Sequence, residues 1–303
     1  MQDSRTSSPT VREGPLRHRP RNGPFLTVGP LAQFIGDTPE LEPLESSDRT
    51  RRRHACWGRR LRLDAGLYPA CMPTLFQTPV PKGRALVAPS ILSADFARMG
   101  EDVEHVLAAG ADLLHLDVMD GHFVPNLTMG PDMCKALRRA FPKAFLDVHL
   151  MVTNPGKFIG PFRQAGADHL TFHVETGDAK RLISLADEVR ASGGRGGATV
   201  GLAVNPCTKV DAALAIADAF DLLLVMSVNP GYSGQAFMPE VLTKVREARA
   251  RFGDRLRIQM DGGIGPKNAA EVRAAGCDVI VSASAIFGQK LDDRAAIIRE
   301  LRG

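Results

Sequence analysis

The run Leu113-Leu114-His115-Leu116-Asp117-Val118-Met119-Asp120-Gly121-His122-Phe123-Val124-Pro125-Asn126 decides how the chain is read. It begins as a strand. Side chains along a strand alternate between faces, so Leu114, Leu116 and Val118 share one face while His115 and Asp117 share the other. An imidazole and a carboxylate on a buried face cost free energy unless something pairs with them. Asp120-Gly121 is a turn signal, and Pro125-Asn126 closes the loop that follows. A polar pair at the C-terminal end of an apolar strand, just before a loop, is where α/β folds place chemistry.

The same rhythm recurs on both sides of this run. Strands are expected over 86–90, 112–118, 145–151, 168–173, 198–204, 221–226, 256–261 and 278–282. Amphipathic helical stretches fall between them, near 95–109, 131–141, 155–165, 178–192, 209–218, 239–252, 266–275 and 290–301. Eight β-then-α units predict an α/β fold of the closed (β/α)8 type, a TIM barrel, over residues 85–303. The helix exits repeat one another as Ala109-Gly110-Ala111-Asp112, Ala165-Gly166-Ala167-Asp168 and Ala275-Gly276-Cys277-Asp278. Glycine there supplies a left-handed cap, and the aspartate opens the next strand. An open doubly wound sheet is the rival fold, but it needs a Gly-x-Gly-x-x-Gly turn after the first strand, which is absent.

Residues 1–84 read differently. Pro, Gly, Ser and Arg are frequent and no apolar period is sustained, so a mostly disordered N-terminal extension is expected. Its Arg and Ser content suits a transit segment, which makes a plastid stroma the alternative to a cytoplasmic location. Glu40, Glu42, Glu45, Asp48 and Asp64 argue against that alternative, and a translation start at Met72 is another reading. The net charge of +4 collects before residue 85, in Arg51-Arg52-Arg53 and Arg59-Arg60-Leu61-Arg62. A nucleic-acid surface needs basic residues on a folded face with groove-reading partners, so no nucleic-acid partner is expected. No apolar run could span a bilayer, and no membrane partner is expected. Cys56, Cys71, Cys134, Cys207 and Cys277 are scattered without metal-type spacing, which fits reduced thiols.

In a barrel, the C-terminal ends of the strands share one mouth. Ser90 ends the first strand, His115 and Asp117 the second, Asp147 and His149 the third, and Asp261 the seventh. His115, Asp117, His149 and Asp261 could therefore converge on one divalent ion, and two imidazoles with two carboxylates suit Zn, Fe, Mn or Co. Gly231-Tyr232-Ser233-Gly234, Gly262-Gly263 and Ala283-Ser284 form turns after strands six to eight, where backbone N–H groups can approach an anion. A metal at one end and a phosphate seat at the other define a small phosphorylated ligand. Asp117 and Asp261, separated around the rim, could reach opposite faces of one carbon. One would take a proton and the other return one, inverting the centre beside a metal-stabilised enediolate.

These motifs resemble ribulose-phosphate 3-epimerase. The resemblance rests on Ala88-Pro89-Ser90-Ile91-Leu92-Ser93-Ala94-Asp95-Phe96, His115 through Asn126, Asp147-Val148-His149-Leu150-Met151-Val152, Asn229-Pro230-Gly231 with Gly234-Gln235-x-Phe237, and Asp261-Gly262-Gly263. It covers residues 85 to 303. It implies interconversion of D-ribulose 5-phosphate and D-xylulose 5-phosphate with one divalent metal per subunit, held at His115, Asp117, His149 and Asp261. Asp117 would be proton acceptor and Asp261 donor in one direction, and the roles would swap in reverse. Ser90 and His149 would contact the sugar, Met119, Met151 and Met226 would line the site, and a homo-oligomer is possible. A relative acting on another ketose phosphate, such as allulose 6-phosphate, or a non-catalytic phosphosugar-binding barrel, is the alternative. Tyr232, Ser233, Ala283 and Met260 depart from the family pattern, with the expected effect of tuning phosphate affinity. His122 and His173 are open: either supports the ligands or bonds within a loop.

Overall fold

The computed structural model describes residues 75–193 and 197–303. The expectation of disorder over residues 1–74 lies outside the described residues. Eight strands occupy β1 (Leu86–Pro89), β2 (Leu114–Met119), β3 (Leu146–Met151), β4 (His169–His173), β5 (Thr199–Val204), β6 (Leu222–Met226), β7 (Arg257–Asp261) and β8 (Val279–Ser282). All pair in parallel, in the order β1-β8-β7-β6-β5-β4-β3-β2. The remaining seam between β1 and β2 is bridged by Ser90 opposite His115 and by the Asp112 N–H donating to the Val87 carbonyl at 3.1 Å. The expected strands thus form, each within a residue or two of its expected bounds.

The connecting helices are α1 (Met99–Ala108), α2 (Pro131–Ala140), α3 (Gly156–Ala165), α4 (Ala179–Ala191), α5 (Asp211–Leu214), α6 (Leu242–Phe252) and α7 (Pro266–Ala274). A short α8 (Ser284–Phe287) and a longer α9 (Leu291–Arg302) follow β8. Every strand residue except Leu86 and Asp261 is buried, because one face meets the helices and the other the barrel interior. The outward set, with Leu114, Leu116, Val118, Leu146, Val148 and Leu150, packs against the helices in one large apolar shell. Met260 belongs to that shell, so this departure from the family pattern points away from the mouth. The inward set is mixed: Ala88, Ala203, Leu224, Met226 and Val281 are apolar, whereas His115, Asp147, Thr171 and Gln259 are buried and polar.

The repeated helix exits have a shared physical role at the floor of the barrel. Arg138 from α2 donates to the Gly166 carbonyl and to Asp168, which accepts from the Leu146 N–H at 2.8 Å. Arg190 from α4 meets the Ala219 carbonyl and Asp221, which accepts from Val200 N–H. Arg249 from α6 meets the Gly276 carbonyl and Asp278, which accepts from Ile258 N–H. Arg302 from α9 meets the Gly110 carbonyl and Asp112, which accepts from Val87 N–H. Each guanidinium satisfies carbonyls orphaned at a helix C-terminus while neutralising the aspartate that anchors the adjoining strand.

The ordered barrel starts before the expected boundary at residue 85. Leu75–Gln77 forms a 3-10 turn that buries Phe76. Its ring packs edge-on against Phe145 at 4.9 Å and against His169 at 4.7 Å, closing the floor. Arg257 donates to the Phe76 and Thr78 carbonyls at 3.2 and 2.6 Å. Composition hid this, because one aromatic filling a tapering interior leaves no period to read.

Candidate active site

Strand alternation and register build the site. Asp117 lies opposite His149 in the β2–β3 pairing, and His115 lies opposite Asp147 one step deeper. Asp261 arrives from β7 across the interior. Ligand atoms of His115, Asp117, His149 and Asp261 all lie within 4.8 Å of one another. His149 Nδ1 is 3.1 Å and His115 Nε2 is 3.4 Å from Asp117 Oδ1. His115 Nε2 is buried with no hydrogen-bond partner, an expensive state for a polar atom. An orphaned imidazole nitrogen facing two carboxylates and a second imidazole fits a divalent cation of the Zn, Fe, Mn or Co type.

The surroundings orient both imidazoles. His115 Nδ1 lies 2.8 Å from Asp147 Oδ2, which also accepts from Gln259 Nε2 at 2.7 Å. His149 Nε2 lies 2.8 Å from His173 Nε2, and His173 Nδ1 lies 3.2 Å from Glu175 Oε2. His173, open in the sequence, therefore backs His149. His122 is exposed and bonds within its loop, to both the carboxylate and the carbonyl of Asp120. Asp120 itself accepts from His122, Phe123 and Thr153, which makes it a loop fastener. Ser90 donates to Asp117 Oδ2 at 2.5 Å and accepts from Leu92 N–H.

Electrostatics separates the two key carboxyls. Burial raises Asp117, but a charge on His115, with the His149 ring also beside the carboxylate, outweighs that cost and holds it well below the usual carboxylate range. Burial and the nearby Asp117 charge push Asp261 up to about 7. Burial pushes His149 down to about 4. Burial also opposes the charge on His115, yet the carboxylates of Asp147 and Asp117 overcome it and raise the imidazole well above its ordinary value.

Asp117 and Asp261 of the quartet line a cleft together with Met119, Met151 and Met226. The same cleft is lined by Gly231, Tyr232, Ser233, Gly234, Gly262, Gly263, Ala283 and Ser284, so the residues of the expected anion seat and the expected carboxyl pair share one cavity. Ser90, His115 and His149 are not among its lining residues; all three lie beside Asp117. Among the described residues no Lys or Arg lines the cleft, which leaves backbone N–H groups and hydroxyls to meet an anion.

Two glycines bring that wall together. Gly262 has φ 122° and would place a Cβ 2.6 Å from the Val228 side chain. Gly263 has φ 63° and would place one 2.7 Å from the Gln235 carbonyl oxygen. The β7 turn can pack against the β6–α6 loop only without side chains there. The departing residues Tyr232 and Ser233 add fasteners: the Tyr232 hydroxyl donates to the Pro125 carbonyl at 2.9 Å, and the Ser233 and Ser93 hydroxyls lie 2.6 Å apart. Asn126 Nδ2 donates to the Gly231 carbonyl at 2.8 Å. Sequence reasoning missed Gln259 and the pairing of His173 with Glu175, whose only trace is a polar residue at an inward strand position.

The Ribulose-phosphate 3 epimerase family matches residues 86–287. A ribulose-phosphate 3-epimerase of Serratia marcescens is 47% identical over 208 residues, covering 67% of this chain and 96% of the relative. That of Escherichia coli is 46% identical over 221 residues, with 72% and 94% covered. A rice (Oryza sativa) protein described as the cytoplasmic isoform is 42% identical over 207 residues, with 67% and 88% covered. Among solved structures, 3-keto-L-gulonate-6-phosphate decarboxylase from Vibrio cholerae has a TM-score of 0.54 at 16% identity, covering 72% of this chain and 97% of that one. The 3-hexulose-6-phosphate synthase of Salmonella typhimurium scores 0.53 at 20% identity, covering 71% and 95%. At those identities the likeness is one of fold.

Proposed function

This chain belongs to the ribulose-phosphate 3-epimerase family, and from that premise we propose that it interconverts D-ribulose 5-phosphate and D-xylulose 5-phosphate. The observation that carries the reading is Asp117 and Asp261 lining one cleft from strands on opposite sides of the barrel, with their pKa values pushed apart. A pair of carboxyls so separated gives a base and an acid at one pH. Asp117, ionised, takes the proton from the substrate carbon on its side. Asp261 in its protonated form delivers a proton to the opposite side, while its ionised form is the one that would hold an ion. The two carboxyls then hold exchanged protonation states, which is the starting condition for the reverse direction.

His115, Asp117, His149 and Asp261 would hold the divalent ion, Zn, Fe, Mn or Co. Bound there, it supplies Lewis acidity to the oxygens beside the reacting carbon and offsets the charge of the enediolate. The glycine turns at Gly231–Gly234 and Gly262-Gly263, with Ala283 and Ser284, seat the phosphate through backbone N–H groups and hydroxyls. Met119, Met151 and Met226 keep water from the reacting carbon with soft, apolar walls. No helix among the described residues is long and apolar enough to cross a membrane, and the free thiols Cys134, Cys207 and Cys277 suit the cytoplasm, where we place the reaction.

The test is a coupled assay of ribulose 5-phosphate epimerisation with each of the four metals. Asp117→Asn and Asp261→Asn should each lose about 10²–10⁴-fold in kcat, and solvent deuterium should enter the inverted carbon. An inactive wild type sinks the substrate reading, and full rate in either variant sinks the two-base mechanism.

A further inference from the structure

We infer that His173 is a positioning residue which, directed by Glu175, fixes His149 in the tautomer that presents its Nδ1 lone pair to the metal site. This rests on the reading that His115, Asp117, His149 and Asp261 hold a divalent ion. The argument is a count of protons along buried contacts. Glu175 Oε1 accepts the Asn205 N–H at 2.9 Å, and Oε2 lies 3.2 Å from His173 Nδ1. An ionised carboxylate offers only lone pairs, so His173 Nδ1 carries the hydrogen. A neutral imidazole has one N–H, which leaves His173 Nε2 as an acceptor. Its partner, 2.8 Å away, is His149 Nε2, which must then donate. His149 Nδ1 is left with a lone pair facing Asp117 Oδ1 at 3.1 Å. Two acceptors at that distance are favourable only with a cation to share.

His115 reaches the same end by a shorter route. When its ring is neutral, Nδ1 donates to Asp147 Oδ2 at 2.8 Å and Nε2 is the orphan. The two imidazoles thus offer opposite ring nitrogens, and each spends its N–H on a chain ending in a carboxylate. On the His149 side that chain has an extra imidazole, because β4 lies between β3 and the loop that places Glu175. His149 and His173 are fully buried, their rings stacked 21° from parallel at 5.0 Å, and Phe123 lies 4.7 Å from the His173 ring. The enclosure favours this pairing over exchange with bulk water. Oriented partners behind a metal-bound imidazole are commonly worth 10–100-fold in affinity.

The full chain is titrated with Zn(II) against a fluorescent chelator, and imidazole 15N spectra of the metal-free protein report each tautomer. Glu175→Gln can turn its amide N–H₂ toward His173 Nδ1, reversing every donor along the chain and putting the hydrogen on His149 Nδ1. Zn(II) affinity should fall about 10–100-fold, with the His149 signal switching tautomer. Asp147→Asn, which acts through His115, should weaken Zn(II) binding while leaving the His149 signal in place. Wild-type affinity in Glu175→Gln, or weaker binding with an unswitched His149, overturns the inference while the metal site stands. A wild type that binds no Zn(II) overturns the metal site itself.

Discussion

Zinc affinity should fall steeply as pH drops from 8 to 6, because two of the four groups proposed to hold the ion carry protons that it must displace. Asp261 sits at about 7. A group with that pKa is about nine-tenths ionised at pH 8 and about one-tenth ionised at pH 6, which alone weakens binding about 10-fold. His115 is raised well above the ordinary imidazole value by Asp147 and Asp117, against the burial that opposes its charge. Wherever it stays charged it contributes up to about another factor of 10 per pH unit. The total between pH 8 and 6 is therefore between about 10-fold and about 1,000-fold. Isothermal titration of Zn(II) in buffers of different ionisation enthalpy would count the released protons: more than one at pH 6, fewer at pH 8. Flat affinity across this range, or binding without proton release, would refute the electrostatic account. The same shifts fix a stability sign for the metal-free protein. Folded Asp261 keeps a proton that the unfolded chain releases near pH 4, so stability from this group is lost as pH rises through about 7.

Gly263→Ala needs a left-handed alanine, costing about 1–2 kcal/mol, with its Cβ 2.7 Å from backbone atoms of Gln235 and Phe237. KM for the phosphosugar should rise about tenfold or more, the equivalent of about 1.4 kcal/mol, with kcat changed less; an unchanged KM would remove this wall from the phosphate seat. Arg249→Met empties the clamp on Gly276 and Asp278 and should cost about 3–5 kcal/mol, with kcat at permissive temperature unchanged. A thermal midpoint equal to wild type would count against the clamp. A chain starting at residue 85 should be about 3–5 kcal/mol less stable in urea than one starting at residue 75, from the loss of Phe76; equal midpoints would show that the plug is dispensable.

Much of the fold and the quartet can be read from the sequence because both follow from period two. Leu114, Leu116 and Val118 against His115 and Asp117 state which face meets helices and which meets the interior. Once eight such strands are counted, barrel closure brings their C-terminal ends together, and His149 and Asp261 have nowhere else to converge. What alternation cannot supply is depth and partner. Asp147 and His149 share a face in sequence, yet one is tied to His115 beneath the cleft and the other adjoins Asp117. That distinction comes from register between strands. Glu175 lies past the end of its strand, where sequence gives no direction, and its bond to His173 depends on a loop conformation. Ser233 carried no signal as a fastener because its partner Ser93 is 140 residues away. Phe76 was hidden by its surroundings of Pro, Gly and Arg.

The four arginine clamps at the floor divide the described barrel into quarters. Each joins the helix before an odd strand, that strand, and the entrance to the next even strand, so one block runs from α2 to β4, another from α4 to β6, another from α6 to β8. The last block is made from the two ends of the described barrel, α9 with β1, α1 and β2. The joints between blocks are the loops leaving β2, β4, β6 and β8. Those four loops carry Asp120 to Asn126, Glu175, Gly231 to Gln235, and Ala283 with Ser284. Stiff modules are thus joined by segments at the mouth of the barrel. Such a layout lets selection or design rewrite the joints, lengthening one or exchanging its residues, while each module keeps its own fastening.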